Sequence, residues 1–456
     1  MTTGMSQEEL DKYFTLFSEA AEVKCRFAPG AYNKYNVKRG LRNEDGSGVL
    51  VGLTKIGDVH AYVIDENDKV PVEGRLTYRG IDIYDLVEGF QSEDRFGFEE
   101  CAYLLLNGDL PTERELEQFN QVLSAFRDIP EDFVRNNILS VPSRDIMNQL
   151  AKLVLVLYSY DPNPDDTSMK NLLRQSVSLI AKFPLMAAYS YQAKAHYFDG
   201  KSLVIHKPKC ELSTAENLLM LLRPTGEYTP LEAKVLDLAL VLHAEHGGGN
   251  NSTFAAHVVS SSGTDIYSSL AAAIGSLKGP KHGGANIKVT GMMDELKNEV
   301  KDWESESQIR DYLAKIVRKE AFDRSGLIYG MGHAVYTLSD PRCILLREQA
   351  EKLAQQKGRM DEYALYRRVE KLAPEVFREV KKSDKPMCAN IDFYSGFVYD
   401  MLGIPREMNT PIFAVARVVG WCAHIIEEHL NGGRIIRPAY KNILKPVKYV
   451  RMRDRE

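Results

Sequence analysis

Several side chains in this sequence have the type and setting for acid–base work or for holding an anion. His243-Ala244-Glu245-His246 places two imidazoles three residues apart with a carboxylate between them, a set superficially like a divalent-metal site. The spacing is not the H-E-x-x-H of a metalloprotease. Imidazoles in the last turn of a helix also meet the negative end of its dipole, which favours protonation and suits a bound carboxylate at least as well as a metal. Packing in the core is a third reading, and all three stay open at this point. His282, within Gly279-Pro280-Lys281-His282-Gly283-Gly284, and His333, after Gly330-Met331-Gly332, are flanked by glycines that let a ligand approach the backbone closely. Each is either catalytic or an ordinary loop residue. Asp392 stands just ahead of a helix-like stretch, Phe393 to Leu402; there it is either an N-cap or an ionised base aimed outward. Arg417 interrupts a helix that is apolar on nearly every side (Ile412, Phe413, Val415, Val418, Val419, Trp421). A buried lone guanidinium is costly and needs an anion, either a core carboxylate or a ligand. His424, seven residues on and on the same face, stays unassigned.

The elements that must position these groups follow from capping and periodicity. Thr229-Pro230 offers a capping hydroxyl and a proline at the first helical position, and the helix it opens runs through Leu242 toward Gly247-Gly248-Gly249, which puts His243 and His246 in its last turn. A second helix is expected from Asp265 to Leu277 behind a Thr264 cap, broken at Gly279-Pro280 so that His282 falls in a tight turn. A third runs from Thr410-Pro411 to Leu430 and closes at Asn431-Gly432-Gly433. Residues 40–80 are rich in Gly, Val and Thr, with turn signals at Asp45-Gly46 and Asn67-Asp68, and predict a few short strands. From residue 81 onward helical spacing dominates, as in Phe98 to Leu106, Ile146 to Tyr158 and Leu173 to Ala188. No fixed-period repeat is present, which argues against a solenoid.

At 456 residues the chain can form two or three domains, or one large core with a smaller domain inserted. With 44% hydrophobic and 27% charged residues it has the composition of a soluble globular protein. A net charge of −5 argues against a nucleic-acid or anionic-membrane partner. The six cysteines show no C-x-x-C pair, as expected of free thiols in a reducing compartment. The N-terminal stretch Met1 to Leu10 lacks a signal or presequence profile, and no apolar run is judged long enough to cross a bilayer; the expected location is cytoplasmic. Three motifs fail. Gly330-x-Gly332 has no third glycine and no preceding parallel strand, Gly200-Lys201-Ser202 has Ala195 where a phosphate loop needs glycine, and no G-x-S-x-G occurs.

Taken in order, Leu76-Thr77-Tyr78-Arg79-Gly80, Leu242-His243-Ala244-Glu245-His246, Ser252-Thr253-Phe254, Gly279-Pro280-Lys281-His282-Gly283-Gly284, Gly332-His333-Ala334-Val335-Tyr336, Asp340-Pro341-Arg342, Asn390-Ile391-Asp392-Phe393-Tyr394, Thr410-Pro411-Ile412-Phe413 and Arg434-Ile435-Ile436-Arg437-Pro438 resemble the citrate synthase family. The resemblance implies an all-α, two-domain helical fold with a few short N-terminal strands. In it, residues 1–281 and 393–456 form a large domain and 282–392 an inserted small domain that closes over substrate. It implies a homodimer that condenses acetyl-CoA with oxaloacetate and hydrolyses the thioester, without a cofactor. Asp392 then resembles the base that takes a proton from the acetyl methyl group, His282 the donor to the thioester oxygen, and His333 the group polarising the ketone. His246, Arg342, Arg417 and Arg437 resemble the carboxylate clamp, Arg437 reaching across from the partner subunit. The sequence departs from the family pattern at three places. Gly247 replaces an acidic residue. Lys281 replaces an apolar one, and its charge is expected to disfavour protonation of His282. Thr337-Leu338 stands where many members carry a cation for CoA, so no CoA contacts are assigned. A 2-methylcitrate synthase acting on propionyl-CoA is the nearest alternative; a metal-dependent hydrolase using His243, Glu245 and His246, or a non-catalytic CoA- or keto-acid-binding relative, are the others.

Overall fold

The structure, a computed structural model, describes residues 5–43, 46–66, 68–383, 386–431 and 433–455. The chain divides into two compact units, one spanning Leu53–Ile436 and the other joining the residues up to Gly52 with those from Arg437 onward. In the second unit, helix α1 (Gln7–Cys25) starts with a capping box between Ser6 and Glu9 and buries none of its residues, while the stretch after Arg437 is irregular apart from a short 3-10 turn at Met452–Asp454.

The Leu53–Ile436 unit opens with the expected strands. β1 (Gly57–Asp65) and β2 (Asp68–Tyr78) pair antiparallel, with Gly57 opposite Tyr78 and an irregularity between His60 and Tyr62; β3 (Ile81–Asp82) adds two residues. Of the turn residues expected around them, Asp45 and Asn67 lie outside the described residues.

Helices build the rest: α2 (Phe98–Asn107), α3 (Ile146–Tyr158), α4 (Met169–Asp199), α5 (Pro230–His243), α6 (Asn251–Ser260), α7 (Ile266–Leu277), α8 (Ala285–Glu299), α9 (Glu306–Val317), α10 (Pro341–Lys357), α11 (Met360–Lys381), α12 (Ile391–Met401) and α13 (Asn409–Leu430), with further helices and turns between. α13 is the hub, packed against α2, α4, α5, α6 and α7. That environment explains its composition: a helix apolar all round must be surrounded by protein or lipid. By length and apolarity Arg406–Leu430 would pass as a membrane span, contrary to the sequence expectation, yet 94% of its most apolar window is buried inside the protein. It is the core helix of this unit. Around it a second group of helices packs as α9 on α11, α10 on α12 and α8 on α12.

Helix ends settle where the chemistry-bearing groups fall. α5 has the expected Thr229 cap, with a reciprocal Glu232 contact, and proline at its first position, but it stops at His243, so His246 lies in the turn beyond rather than in the last turn. α7 is capped by Asp265, whose carboxylate accepts from the Ser268 N–H, and not by Thr264. α12 is capped by Asn390, which accepts the Asp392 N–H at 3.0 Å; Asp392 therefore sits in the first turn, relieved of the capping role. Gly420, in the middle of α13, lets this helix press onto the turn after α5, because a Cβ there would strike the Ala244 carbonyl and the Glu245 carboxylate. Gly420→Ala is accordingly expected to destabilise the protein by about 1–3 kcal/mol through overpacking, read as a lowered thermal midpoint; an unchanged midpoint would refute this contact.

Candidate active site

Arg417 is fully buried on α13. Its Nε donates to the His243 carbonyl at 2.6 Å, and its Cζ lies 4.8 Å from the centre of the Phe413 ring. Nη1 and Nη2 are buried with no hydrogen-bond partner, and no ion pair to Arg417 exists among the described residues. Of the two readings open in the sequence, a core carboxylate is thus set aside. Burial lowers its pKa to about 10, with Glu245 the largest charge acting in the opposite sense, so the guanidinium stays protonated at neutral pH. A buried cation with two idle donor groups is a preformed seat for a carboxylate.

Arg342 is differently placed. It starts α10 and is buried, but its Nε and Nη2 donate to both oxygens of Asp340 at 3.1 and 2.8 Å, which satisfies most of its charge within the protein. It also lies 5.7 Å from the Tyr336 ring. Asp392, half-buried, has no ion pair among the described residues. Burial raises its pKa to about 6, opposed by the charges of Arg342 and Arg417 and reinforced by Asp340. A helix N-terminus by itself favours the ionised carboxylate; desolvation outweighs it here.

His246, His243 and His282 are held neutral, each for a visible reason. The buried His246 ring meets His333 and Tyr336 edge-on at 5.1 and 5.6 Å, its Nε2 has no partner, and burial followed by the charge of Arg342 depresses its pKa strongly. His243 donates Nδ1–H to the Ala239 carbonyl at 2.7 Å, and burial takes its pKa down to about 3. The helix-dipole argument for protonation is overridden in both, because removing an imidazolium from water outweighs a dipole end. His282 is lowered to about 4 by burial and then by Arg417. The cation that matters is Arg417, not the exposed Lys281 singled out from the sequence.

Two tautomers are steered by neighbours. His333 Nδ1 accepts the backbone N–H groups of Val335 and Tyr336 at 3.0 and 3.1 Å, so the neutral ring carries its hydrogen on Nε2. Gly330 and Gly332 shape this loop with φ of 78° and 84°, and a Cβ at Gly330 would crowd Phe393 and Val289. Trp421 donates Nε1–H to Ser252 Oγ at 3.2 Å, and Ser252 Oγ lies 3.1 Å from His282 Nε2 and 2.9 Å from Asn250 Oδ1. Ser252 Oγ has one hydrogen, which Asn250 Oδ1 also accepts; in the state where it goes to the imidazole instead, His282 presents Nδ1–H as a donor.

The structure thus gathers His282 and His243 around Phe413 (6.2 and 4.7 Å between ring centres) beside Arg417. His246, His333 and Arg342 gather around Tyr336, and Asp392 lies within the fields of both arginines. Arg437, exposed, belongs to the other unit. His243, Glu245 and His246 do not converge on a metal site, and no such cluster of three ligands occurs among the described residues; Glu245 meets His424 instead. Sequence reasoning missed Phe413 and Trp421, which read as ordinary core apolars, and gave no role to Ser252 or Asp340. A titratable carboxylate, neutral donors and an uncompensated cation together suit proton abstraction from a carbon acid beside a bound anion.

Known proteins similar to this chain point to one family. A family model described as "Citrate synthase, C-terminal domain" matches residues 45–439. A citrate synthase of Deinococcus radiodurans is 37% identical over 388 residues, 84% of this chain and 94% of the relative. A 2-methylcitrate synthase of Shewanella oneidensis is 34% identical over 369 residues, 80% and 87% of the two chains. Among solved structures, citrate synthase from Thermoplasma acidophilum in a ternary complex with carboxymethyl coenzyme A and oxaloacetate superposes with a TM-score of 0.75 at 25% identity, covering 92% of this chain and 99% of the other.

The raised Asp392 pKa has a stability consequence whose sign is fixed. The folded state holds that proton more tightly than the unfolded chain, so the carboxylate is neutral and harmless below about pH 4 and imposes its full penalty above about pH 6. Asp392→Asn should therefore be the more stable protein above pH 6, by up to about 3 kcal/mol, with the difference vanishing toward pH 4. Chemical denaturation across that range checks it; equal stability at pH 8 would contradict the burial argument.

Proposed function

Because the chain belongs to the citrate synthase family, we propose that it condenses acetyl-CoA with oxaloacetate and hydrolyses the resulting citryl thioester to citrate and CoA. The observation that carries this reading is Arg417: a buried guanidinium with two unused donor nitrogens and no carboxylate paired with it among the described residues, together with a carboxylate whose pKa stands at about 6. Oxaloacetate supplies the missing anion. His246 adds its unpartnered Nε2, Arg342 the part of its guanidinium not engaged by Asp340, and Arg437 of the partner subunit completes the clamp. Asp392 removes a proton from the acetyl methyl group, His282 donates to the enol oxygen as it forms, and His333 polarises the keto oxygen from Nε2–H and stabilises the alkoxide that condensation creates. No cofactor takes part; acetyl-CoA enters as substrate. Residues 282–392 act as the inserted small domain that closes to exclude water before condensation.

A homodimer is part of this proposal. Its support is the layer of α3, α6 and α7, which leaves Leu155 and Val258 exposed at 49% and 37%, together with a clamp that needs Arg437. Light scattering should give twice the chain mass of 51.5 kDa. The cytoplasmic location is proposed on the six cysteines, all free thiols.

Release of free thiol from acetyl-CoA that depends on oxaloacetate is the deciding assay; hydrolysis regardless of oxaloacetate, or none at all, sinks the reading. Acetyl-CoA should be preferred to propionyl-CoA, and since one methylene is worth about 1–3 kcal/mol in a pocket, reversal of that preference would assign 2-methylcitrate synthesis instead. Asp392→Asn should lower kcat about 10²- to 10⁴-fold, and the wild-type rate should fall below about pH 6 as the base takes up its proton. Arg417→Leu should raise KM for oxaloacetate at least about tenfold, in line with a charged hydrogen bond of about 1.5–3 kcal/mol, and affect KM for acetyl-CoA less.

A further inference from the structure

Glu245, the charge that most supports Arg417, is the inner end of a hydrogen-bonded chain that the proposed chemistry leaves unused. Glu428 Oε2 lies 2.9 Å from His257 Nδ1, His257 Nε2 lies 3.2 Å from His424 Nδ1, and His424 Nε2 lies 3.0 Å from Glu245 Oε1. The chain starts at a Glu428 side chain that is 18% exposed and ends at a Glu245 side chain with no exposure at all. It ties together α13, α6 and the turn after α5. Glu245 Oε1 also accepts the Gly247 N–H, so the same carboxylate holds the turn that carries His246.

Counting hydrogens determines the state of the chain. Three contacts need one hydrogen each. Two neutral imidazoles bring one apiece; those satisfy both carboxylates but leave two ring lone pairs facing each other between His257 and His424. The middle contact closes only if the four groups hold one hydrogen more, with a combined charge of −1 instead of −2.

We propose that Glu428, His257, His424 and Glu245 share one surplus proton, and that this proton sets the charge facing Arg417 and the hold on the His246 turn, making the four positioning residues for the anion clamp. The proposal rests on the condensation reaction above. With the proton near the inner end, Glu245 is screened and the charge of Arg417 remains available to a bound dianion. When the chain loses it, the middle contact opens, Glu245 stands unscreened against Arg417, and anion binding weakens as pH rises.

The surroundings bear on this balance from every packed element. Glu427 Oε2, buried without a hydrogen-bond partner, lies 3.8 Å from His424 Nδ1, while its Oε1 accepts the Lys55 N–H; that second anion favours keeping the proton. Arg79, whose Nε and Nη2 both donate to the Leu105 carbonyl, and Arg417 act against it. Tyr78 donates its hydroxyl to backbone carbonyls of Val241 and Glu245, and neutral His246 and His429, beside Glu428, add no charge at neutral pH. Burial, then the neighbouring His424, lowers the pKa of His257.

The test uses the full-length protein, with Glu428→Gln as a mild change at the part-exposed end and His257→Asn as the second variant. Selective ¹⁵N-histidine spectra near pH 7.5, where ordinary imidazoles are about nine-tenths neutral, should show one doubly protonated ring in the wild type, lost in both variants. KM for oxaloacetate should climb with pH in the wild type, and at pH 7.5 both variants should already have KM raised about three- to tenfold, with kcat falling by less. Variants that melt earlier yet keep the wild-type KM–pH profile would reduce the chain to a structural role and overturn the proposal, as would a wild-type spectrum with every histidine neutral. If instead the doubly protonated ring is present but thiol release does not depend on oxaloacetate, the reaction is wrong and the proton-sharing chain stands.

Discussion

A guanidinium buried on an apolar core helix, with no carboxylate among the described residues to pair with it, is the constraint on which the remaining architecture depends. Arg417 keeps its charge because one carbonyl, that of His243, accepts its Nε–H and because Glu245 lies in its field. Such an arrangement is unfavourable for folding taken alone, since a buried charge left unpaired costs several kcal/mol. It becomes intelligible if the missing partner is a ligand. A protein that satisfied Arg417 internally would be more stable and would have no seat for an anion.

The field of that cation and the dryness around it then set the protonation of nearly everything nearby. His243, His246 and His282 are all held neutral, and desolvation is the largest cause in each. Neutral imidazoles can donate one hydrogen while adding no charge to compete for the anion. The same desolvation acts in the opposite chemical direction on Asp392, lifting a carboxylate toward the range where a general base is useful. One physical cause, exclusion of water, therefore yields both the donors and the base that a condensation through an enol requires. Close backbone approaches make that exclusion possible: Gly420 lets α13 reach the turn after α5, and Gly330 lets the His333 loop lie against Phe393.

Much of this was legible from local sequence because local sequence controls it. The 3.6-residue spacing of apolar positions marked Phe98 to Leu106 and Ile146 to Tyr158, and both are helices to within a residue. Thr229-Pro230 announced α5, and the chemistry-bearing glycine and histidine clusters were visible as types and spacings. Two neighbouring residues could play one role at two places: Asp265 caps α7 where Thr264 was expected, and Asn390 caps α12, which closes the N-cap reading left open for Asp392. The second of these matters, since a neighbouring amide does the structural task and the aspartate is left for another.

What the sequence by itself determined is the inventory of reactive groups, the helices that carry them, and the resemblance that named their family, because these depend on residue type and on spacings of a few positions. What only the tertiary structure decided is the state of each group. Whether Arg417 had a carboxylate partner, whether His282 answered to Lys281 or to Arg417, and whether His243, Glu245 and His246 converged on a metal all turn on distances between segments far apart in the chain. Desolvation and Coulomb interactions depend on those distances and on the water removed between them, and neither quantity is written in the order of the residues.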